Sequence, residues 1–142
     1  MELVYVPDPG VIIQWALPGE EPREAERALD LLQLWLEGGC EFLLPPLWSA
    51  EVGGLLARHH PERAGDLLEL LLGYRIPEAR MTAELGREAL RLCREYGTGY
   101  YQALYHAVAL QQGALLVTAD AAYCRKAKAA GRLLPLKEFG PR

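Results

Sequence analysis

Residues 3–16, LVYVPDPGVIIQWA, contain the first strand and the first helix that the sequence predicts. The first part, Leu3 to Val6, is rich in β-branched and aromatic residues and predicts a short strand, which the Pro-Asp-Pro-Gly segment at 7–10 ends. The apolar residues from Val11 to Ala16 then predict the start of a helix. A short apolar strand followed directly by a helix is typical of parallel sheets, and here it leaves Asp8 at the carboxyl end of the strand.

The same alternation continues through the chain. Further strands are predicted at 41–44, 74–76, 114–117 and 133–134. Helices are predicted at 21–37, 47–58, 62–72, 82–96 and 121–130. One more helix is expected to begin at Thr98 and to contain Gln102. Thr82 and Thr98 are the expected N-caps of two of these helices. Short apolar strands separated by helices favour an α/β fold, a three-layer α/β/α sandwich with a central, mainly parallel sheet. With no repeat or linker, residues 1–142 are expected to form a single domain.

Composition places the chain among soluble globular proteins. Of its 142 residues, 51% are hydrophobic and 24% are charged, which allows a sizeable core. There is no long uncharged apolar run and no basic start before an apolar signal core, so we expect a cytoplasmic protein with no membrane association. Three widely spaced cysteines fit a reducing compartment. The formal net charge of -4 neither indicates nor excludes a nucleic-acid partner.

Three carboxylates occupy positions that suggest a site. Asp8 and Asp120 each follow the carboxyl end of a predicted strand, where ligands gather in open α/β sheets. Glu51 shares a helix face with Leu47 and Leu55, and a carboxylate on an apolar stripe needs a partner. Each residue also has a simpler interpretation: Asp8 as a turn residue, Asp120 as a helix cap, and Glu51 as the partner of an arginine in a salt bridge.

Taken together, the three carboxylates predict a cation site. Two strand ends and one inward-facing helix position can converge above a parallel sheet, and two unit charges about 4 Å apart repel by roughly 4 kcal/mol at an effective dielectric constant near 20. A divalent cation removes this penalty, and oxygen ligands favour Mg²⁺ or Mn²⁺. Such an ion can activate water and stabilise charge on a phosphodiester.

Three segments of the chain resemble the PIN domain family, of the kind found in VapC-type toxins. They are VYVPDPGVIIQWALPGEE at 4–21, FLLPPLWSAEVGGLLAR at 42–58 and YYQALYHAVALQQGALLVTADAAY at 100–123, in the order expected for the family. The resemblance implies an α/β/α sandwich with an acidic Mg²⁺ or Mn²⁺ site for RNA cleavage. Asp8, Glu51 and Asp120 fall on acidic family positions, as catalytic and metal-binding residues, and Thr118 matches a hydroxyl position beside the site.

The chain departs from the family pattern at two positions. Gln102 stands where the family usually has a fourth acid, and Gly10 stands where a serine or similar polar residue is frequent. Gln102 can still donate and accept hydrogen bonds beside the site, but it adds no negative charge. His106, one turn later, is a candidate for binding Mn²⁺ or phosphate, or else a helix-surface residue.

Partners follow partly from charge and partly from the resemblance. Arg125 and Lys126 come soon after Asp120 and are candidates for binding RNA phosphates, the alternative being a solvated helix face. VapC-like proteins commonly form homodimers and are inhibited by a small antitoxin, which implies both partners here. The sequence therefore predicts a metal-dependent endoribonuclease, an expected toxin of a toxin-antitoxin pair. The alternative is a catalytically weakened PIN-like fold that binds RNA or a protein, which Gln102 favours.

Overall fold

A four-stranded parallel sheet forms the centre of the molecule in a computed structural model that describes residues 3–140. The strand order is β2-β1-β3-β4, and every neighbouring pair is parallel. The strands are β1 (Val4–Pro7), β2 (Glu41–Phe42), β3 (Leu115–Thr118) and β4 (Leu133–Pro135). Because all four strands run the same way, their carboxyl ends meet at one edge of the sheet.

Helices flank the sheet and confirm the predicted α/β sandwich. They are α1 (Pro9–Ala16), α2 (Pro22–Leu36), α3 (Trp48–His59), α4 (Ala64–Leu72), α5 (Ala83–Tyr96), α6 (Tyr100–Gln112) and α7 (Ala121–Ala127), with 3₁₀ turns at Lys128–Ala130 and Leu136–Glu138. Helix α1 packs against β3, and α6 packs against both β1 and β3. Helix α6 is buried along most of its length, from Ala103 to Ala109, because it lies between the sheet and α5.

Local sequence explains where several helices begin and end. The Thr82 hydroxyl caps α5 by accepting a hydrogen bond from the Leu85 amide at 3.0 Å, as predicted. Gly97 and Gly113 end α5 and α6 in the left-handed conformation, with φ of 68° and 64°. The expected cap at Thr98 is wrong: α6 begins after Gly99, and the Thr98 hydroxyl is buried without a partner among the described residues.

The strand predicted at 74–76 does not form. Arg75 has a φ of 54°, which interrupts any extended backbone, and its amide bonds to the Leu72 carbonyl in a turn that follows α4. The extended pairing occurs later and is reduced to a single parallel bridge between Leu44 and Glu78. Strand β2 is also shorter than predicted: of the 41–44 segment it keeps only Glu41 and Phe42.

Smaller differences concern helix ends. The helix predicted at 62–72 begins at Ala64, and the one predicted at 121–130 changes to a 3₁₀ turn after Ala127. These shifts leave the order of elements and the sheet unchanged. Within residues 3–140 no helix is both long and apolar enough to cross a membrane.

Candidate active site

The sheet register brings two of the predicted residues side by side. Pro7 is paired with Val117, and the Asp8 amide donates a hydrogen bond to the Val117 carbonyl at 3.0 Å. Asp8 and Thr118 therefore leave the sheet together at its carboxyl edge. This is the edge at which ligands bind in open α/β sheets.

Asp8 uses both of its carboxyl oxygens. Oδ1 accepts a hydrogen bond from the Val11 amide at 3.1 Å and so caps α1, while Oδ2 accepts one from the Thr118 hydroxyl. Asp8 therefore has the structural role in the turn that its simpler interpretation predicts. That role does not exclude a second one, because the side chain also faces a pocket.

Asp120 repeats this arrangement on the next strand. Its Oδ1 accepts from the Tyr123 amide at 3.0 Å and caps α7, and its Oδ2 accepts from the Gln102 side-chain amide. Its own backbone amide donates to Thr118 Oγ1 at 3.0 Å. Thr118 thus connects the two aspartates through one hydroxyl, which receives the Asp120 amide and donates to Asp8.

Glu51 reaches the same place from α3. Its Oε1 is buried and has no hydrogen-bond partner among the described residues, and none of the salt bridges found between residues 3 and 140 includes it. The arginine partner considered from sequence is therefore not found. The expected stripe is also incomplete: Leu55 faces the pocket with Glu51, but Leu47 is 58% exposed because it precedes the helix with a φ of 68°.

The three carboxylates line one pocket of about 410 Å³. Thr118 and Gln102 also line it, so all five residues predicted at the site meet there. The remaining lining residues are Pro9, Gly10, Leu55, Tyr105, Leu116, Ala119 and Tyr123. Tyr105 and Tyr123 were missed by the sequence reasoning, although Tyr105 falls in the same α6 segment as Gln102, three residues further on.

Burial, with some repulsion, favours the neutral forms of Asp8 and Glu51. Burial raises the pKa of Asp8 to about 6; the hydrogen bonds from Thr118 and Val11 oppose this, and the charge of Asp120 adds to it. Burial also raises the pKa of Glu51 to about 7, helped by the charge of Asp8. The nearby Tyr105 hydroxyl lowers that pKa in part, but neither this hydroxyl nor Glu51 Oε1 has a well-formed hydrogen bond.

The donor chemistry of the pocket fits a divalent cation. Its acids supply oxygen atoms only, and Glu51 Oε1 is buried without a partner. Within residues 3–140, however, no three His, Cys, Asp or Glu side chains are grouped closely enough to bind one ion together. Mg²⁺ commonly takes one or two carboxylates and keeps several waters, so three grouped ligands are not required.

The two departures from the family pattern behave differently. Gln102 is exposed at the pocket mouth and its amide holds Asp120, so it is a hydrogen-bond donor to the acidic group. Gly10 has room for a side chain: a Cβ there would be 3.5 Å from Asp8 Oδ1 and 3.6 Å from the Ala119 Cβ. These are ordinary contacts, so the backbone does not require glycine at this position.

His106 is neither a surface residue nor a ligand of the pocket. It is fully buried, with Nδ1 2.7 Å from the Tyr123 hydroxyl and Nε2 2.7 Å from the Gly131 carbonyl. A carbonyl only accepts, so Nε2 carries the proton and donates. Burial lowers the pKa of His106, which favours the neutral ring, with Nδ1 accepting from Tyr123.

The two predicted RNA-binding residues lie outside the pocket. Arg125 and Lys126 are exposed on α7 and do not line it. The Lys126 ammonium group donates to the Gly97 carbonyl at 3.3 Å, which places it beside the turn between α5 and α6. Contact of either residue with RNA stays a prediction.

Solved structures with the same fold include proteins of toxin-antitoxin systems. VapBC2 from Rickettsia felis, solved bound to a DNA fragment from its promoter, matches with a TM-score of 0.68 and 16% identity over 94% of this chain and 97% of that chain. VapC20 from Mycobacterium tuberculosis, described as a sarcin-ricin loop cleaving toxin, matches with a TM-score of 0.64 and 18% identity over 90% and 95%. A toxin-antitoxin complex from Klebsiella pneumoniae matches with a TM-score of 0.62 and 16% identity over 95% and 99%.

At these identities the structural matches show the fold alone. A comparison with curated proteins found no match. The family model for the PIN domain matches residues 5–129, which include every residue that lines the pocket. The chain belongs to the PIN domain family.

Proposed function

We propose that this protein is a metal-dependent endoribonuclease of the PIN type that hydrolyses RNA phosphodiester bonds as the toxin of a toxin-antitoxin pair. The observation that carries the proposal is the convergence of Asp8, Glu51 and Asp120 on one pocket at the carboxyl edge of the sheet. These acids come from three separate parts of the chain. A pocket in which the charge of Asp8 repels those of both Glu51 and Asp120 is costly to a fold unless a cation binds there.

Each side chain has a defined part in this proposal. Asp8, Glu51 and Asp120 would hold Mg²⁺ or Mn²⁺, one or two of them directly and the rest through waters on the ion. The bound ion would supply activation of water and stabilisation of the charge that develops on the phosphate. Thr118 and Gln102 fix the Oδ2 atoms of Asp8 and Asp120, so the carboxylates need little reorganisation on binding. We also propose that Arg125 and Lys126 contact RNA phosphates beside the pocket mouth.

The decisive experiment is cleavage of a fluorescent single-stranded RNA by the purified protein with Mg²⁺, Mn²⁺ or EDTA. Asp8→Asn should remove cleavage, because the amide keeps the cap on α1 but supplies no negative charge. Asp66→Asn is the matched control, since Asp66 is an exposed acid on α4 outside the pocket. It should cleave as the unsubstituted protein does.

Two results would contradict the proposal. Cleavage by Asp8→Asn at the full rate would place the chemistry elsewhere or in a contaminant. Absence of cleavage by the unsubstituted protein with every ion, combined with RNA binding, would favour the weakened, binding-module alternative. Gln102 and its hydrogen bond to Asp120 are the features that favour this alternative.

The protein partners are proposed from the structural neighbours and from exposed apolar residues. The neighbours include toxin-antitoxin complexes, so we propose that a small antitoxin binds this chain.

Helix α2 exposes Leu29 and Leu36 at 45% and 57%, one heptad apart on the same face, and we propose that such leucines contribute to a homodimer. Light scattering of the purified protein would test this, and a monomer at micromolar concentration would argue against the dimer.

A further inference from the structure

Two tyrosines begin α6 directly beside the pocket. Tyr100 and Tyr101 are 38% and 44% exposed, and they precede Gln102, which lines the pocket and binds Asp120. Their rings lie 6.3 Å apart, centroid to centroid, and are inclined at 64°. Large aromatic side chains left exposed at the mouth of an acidic pocket need a reason, because aromatic residues gain free energy from burial.

Helix geometry directs Tyr101 to the pocket rim. Residues four apart share a helix face, and Tyr105, four residues after Tyr101, lines the pocket. Tyr101 therefore lies one turn above Tyr105 on the same face, nearer to solvent. The ring of its neighbour Tyr100 lies edge-on to it.

Positive charge lies beside the same turn. The Lys126 ammonium group is bound to the Gly97 carbonyl at 3.3 Å, three residues before Tyr100 in sequence. Arg125 precedes Lys126 on the exposed side of α7. Exposed aromatic rings with cations next to them are the arrangement with which proteins bind unpaired nucleotides, the rings stacking on bases and the cations meeting phosphates.

We propose that Tyr101, supported by Tyr100, stacks on an unpaired base of the RNA next to the phosphate that enters the pocket. This inference rests on the proposed function and gives Tyr101 a role in base binding: the stacked base must be unpaired, because a base inside a duplex has no free face. The position of Tyr101 above Tyr105 brings the stacked nucleotide to the carboxylates. A protein partner could bind the exposed rings without cations beside them, so the nearby cations favour RNA as the ligand.

Binding of a labelled single-stranded RNA in EDTA tests the proposal without cleavage. Tyr101→Ala should weaken binding about tenfold, which lies within the range found for loss of one base-aromatic stack. Tyr101→Phe should stay within about twofold, because it keeps the ring. Leu70→Ala, on α4 and away from the pocket, removes a side chain with a similar exposure of 48% and should have no effect.

Changes in the ligand and in salt identify the type of contact. An abasic RNA of the same length should bind the unsubstituted protein about as weakly as the normal RNA binds Tyr101→Ala. Lys126→Ala should reduce the salt dependence of binding by roughly one phosphate contact, whereas Tyr101→Ala should leave the salt slope unchanged. Equal binding of the abasic and normal RNA would overturn the stacking proposal.

The remaining outcomes separate this inference from the proposed function. If the unsubstituted protein cleaves RNA and the Tyr101→Ala variant binds RNA normally, the stacking proposal is overturned and the nuclease proposal stands. Tyrosine-dependent binding without any cleavage would keep stacking and overturn the nuclease. Failure of the unsubstituted protein to bind the RNA would overturn the stacking proposal, as would a change in self-association with Tyr101→Ala that leaves RNA binding unaffected.

Discussion

The side-chain amide of Gln102 donates a hydrogen bond to Oδ2 of Asp120 and so joins the first turn of α6 to the N-cap of α7. A carboxylate at position 102 would repel Asp120 in the absence of a cation, whereas the amide supports it. Gln102 therefore stabilises the metal-free pocket while contributing one less negative charge to it. Compared with an acid at this position, Gln102 should therefore weaken metal binding and stabilise the metal-free protein, and both effects can be measured.

Gln102→Asp should make the protein more dependent on metal. In EDTA the new carboxylate faces Asp120, so the melting temperature should fall; Mn²⁺ or Mg²⁺ should then raise it by more than they raise that of the unsubstituted protein. Thermal melts with and without the ions measure both effects. Gln111→Asp, an exposed position near the other end of α6, should show no enhanced response to metal. A metal response in Gln102→Asp no larger than normal would contradict this account.

Gln102→Ala tests the hydrogen bond without adding charge. Loss of one hydrogen bond to a charged group weakens its positioning by about 1.5 kcal/mol, which corresponds to roughly tenfold in rate if the pocket cleaves RNA. Single-turnover cleavage with saturating Mn²⁺ provides the measurement. An unchanged rate would show that Asp120 keeps its place without the amide.

The contribution of Asp8 and Glu51 to the stability of the metal-free protein should fall as the pH rises from about 4 to about 7. The folded state raises the pKa of Asp8 from 3.8 to about 6 and that of Glu51 from 4.5 to about 7, so folding favours their protonated forms. The contribution of these two acids to the free energy of unfolding is complete below their pKa values in the unfolded chain. It disappears as the pH rises past their pKa values in the folded protein. Urea unfolding in EDTA across this range measures it.

Asp8→Asn isolates the contribution of one acid to that profile. The amide cannot ionise and still caps α1, so above pH 6 the variant should be more stable than the unsubstituted metal-free protein by about 3 kcal/mol. Below pH 4 the two should be alike. Protonation of His106 has the opposite pH dependence, since burial lowers its pKa, but it cancels in the difference between the two proteins. A constant difference across the pH range would refute the argument.

Local sequence was enough to predict the parts of the site that depend on strand ends. Asp8 and Asp120 each follow an apolar strand, and parallel pairing brings such positions to one edge whatever the details of packing. Glu51 was predicted from its place on an apolar helix face, although Leu47 left that face by adopting a left-handed conformation. Periodicity indicates where a face lies but not how its first residue enters the helix.

Contacts between distant segments could not be predicted. Nothing in the α6 sequence shows that His106 faces Tyr123 and Gly131, because that contact depends on where α7 and the turn before β4 are placed. The partner of Gln102 was unknown for the same reason. The strand predicted at 74–76 failed at a single dihedral angle, that of Arg75, which composition does not reveal.

Thr118→Val should disturb both aspartates together. Valine has the shape of threonine but leaves Asp8 Oδ2 without its donor and the Asp120 amide without its acceptor. Loss of these buried hydrogen bonds should cost about 2 kcal/mol in the free energy of unfolding and should reduce any cleavage activity. Thr118→Ser keeps the hydroxyl and should retain both properties. Denaturant unfolding of the two variants, compared at one pH, would reject this role if they proved equally stable.

His106→Phe should destabilise the protein without a direct effect on the chemistry of the pocket. Phenylalanine fills the volume but leaves the buried Tyr123 hydroxyl unpaired and removes the donor to the partly buried Gly131 carbonyl, at a cost of about 2 kcal/mol. His59→Ala, at an exposed position, is the control and should be nearly neutral. Adding Tyr123→Phe removes one of the two orphaned groups, so the double variant should be more stable than the sum of the single changes predicts. Strict additivity in urea unfolding would show that the 2.7 Å contact between His106 and Tyr123 contributes nothing to stability.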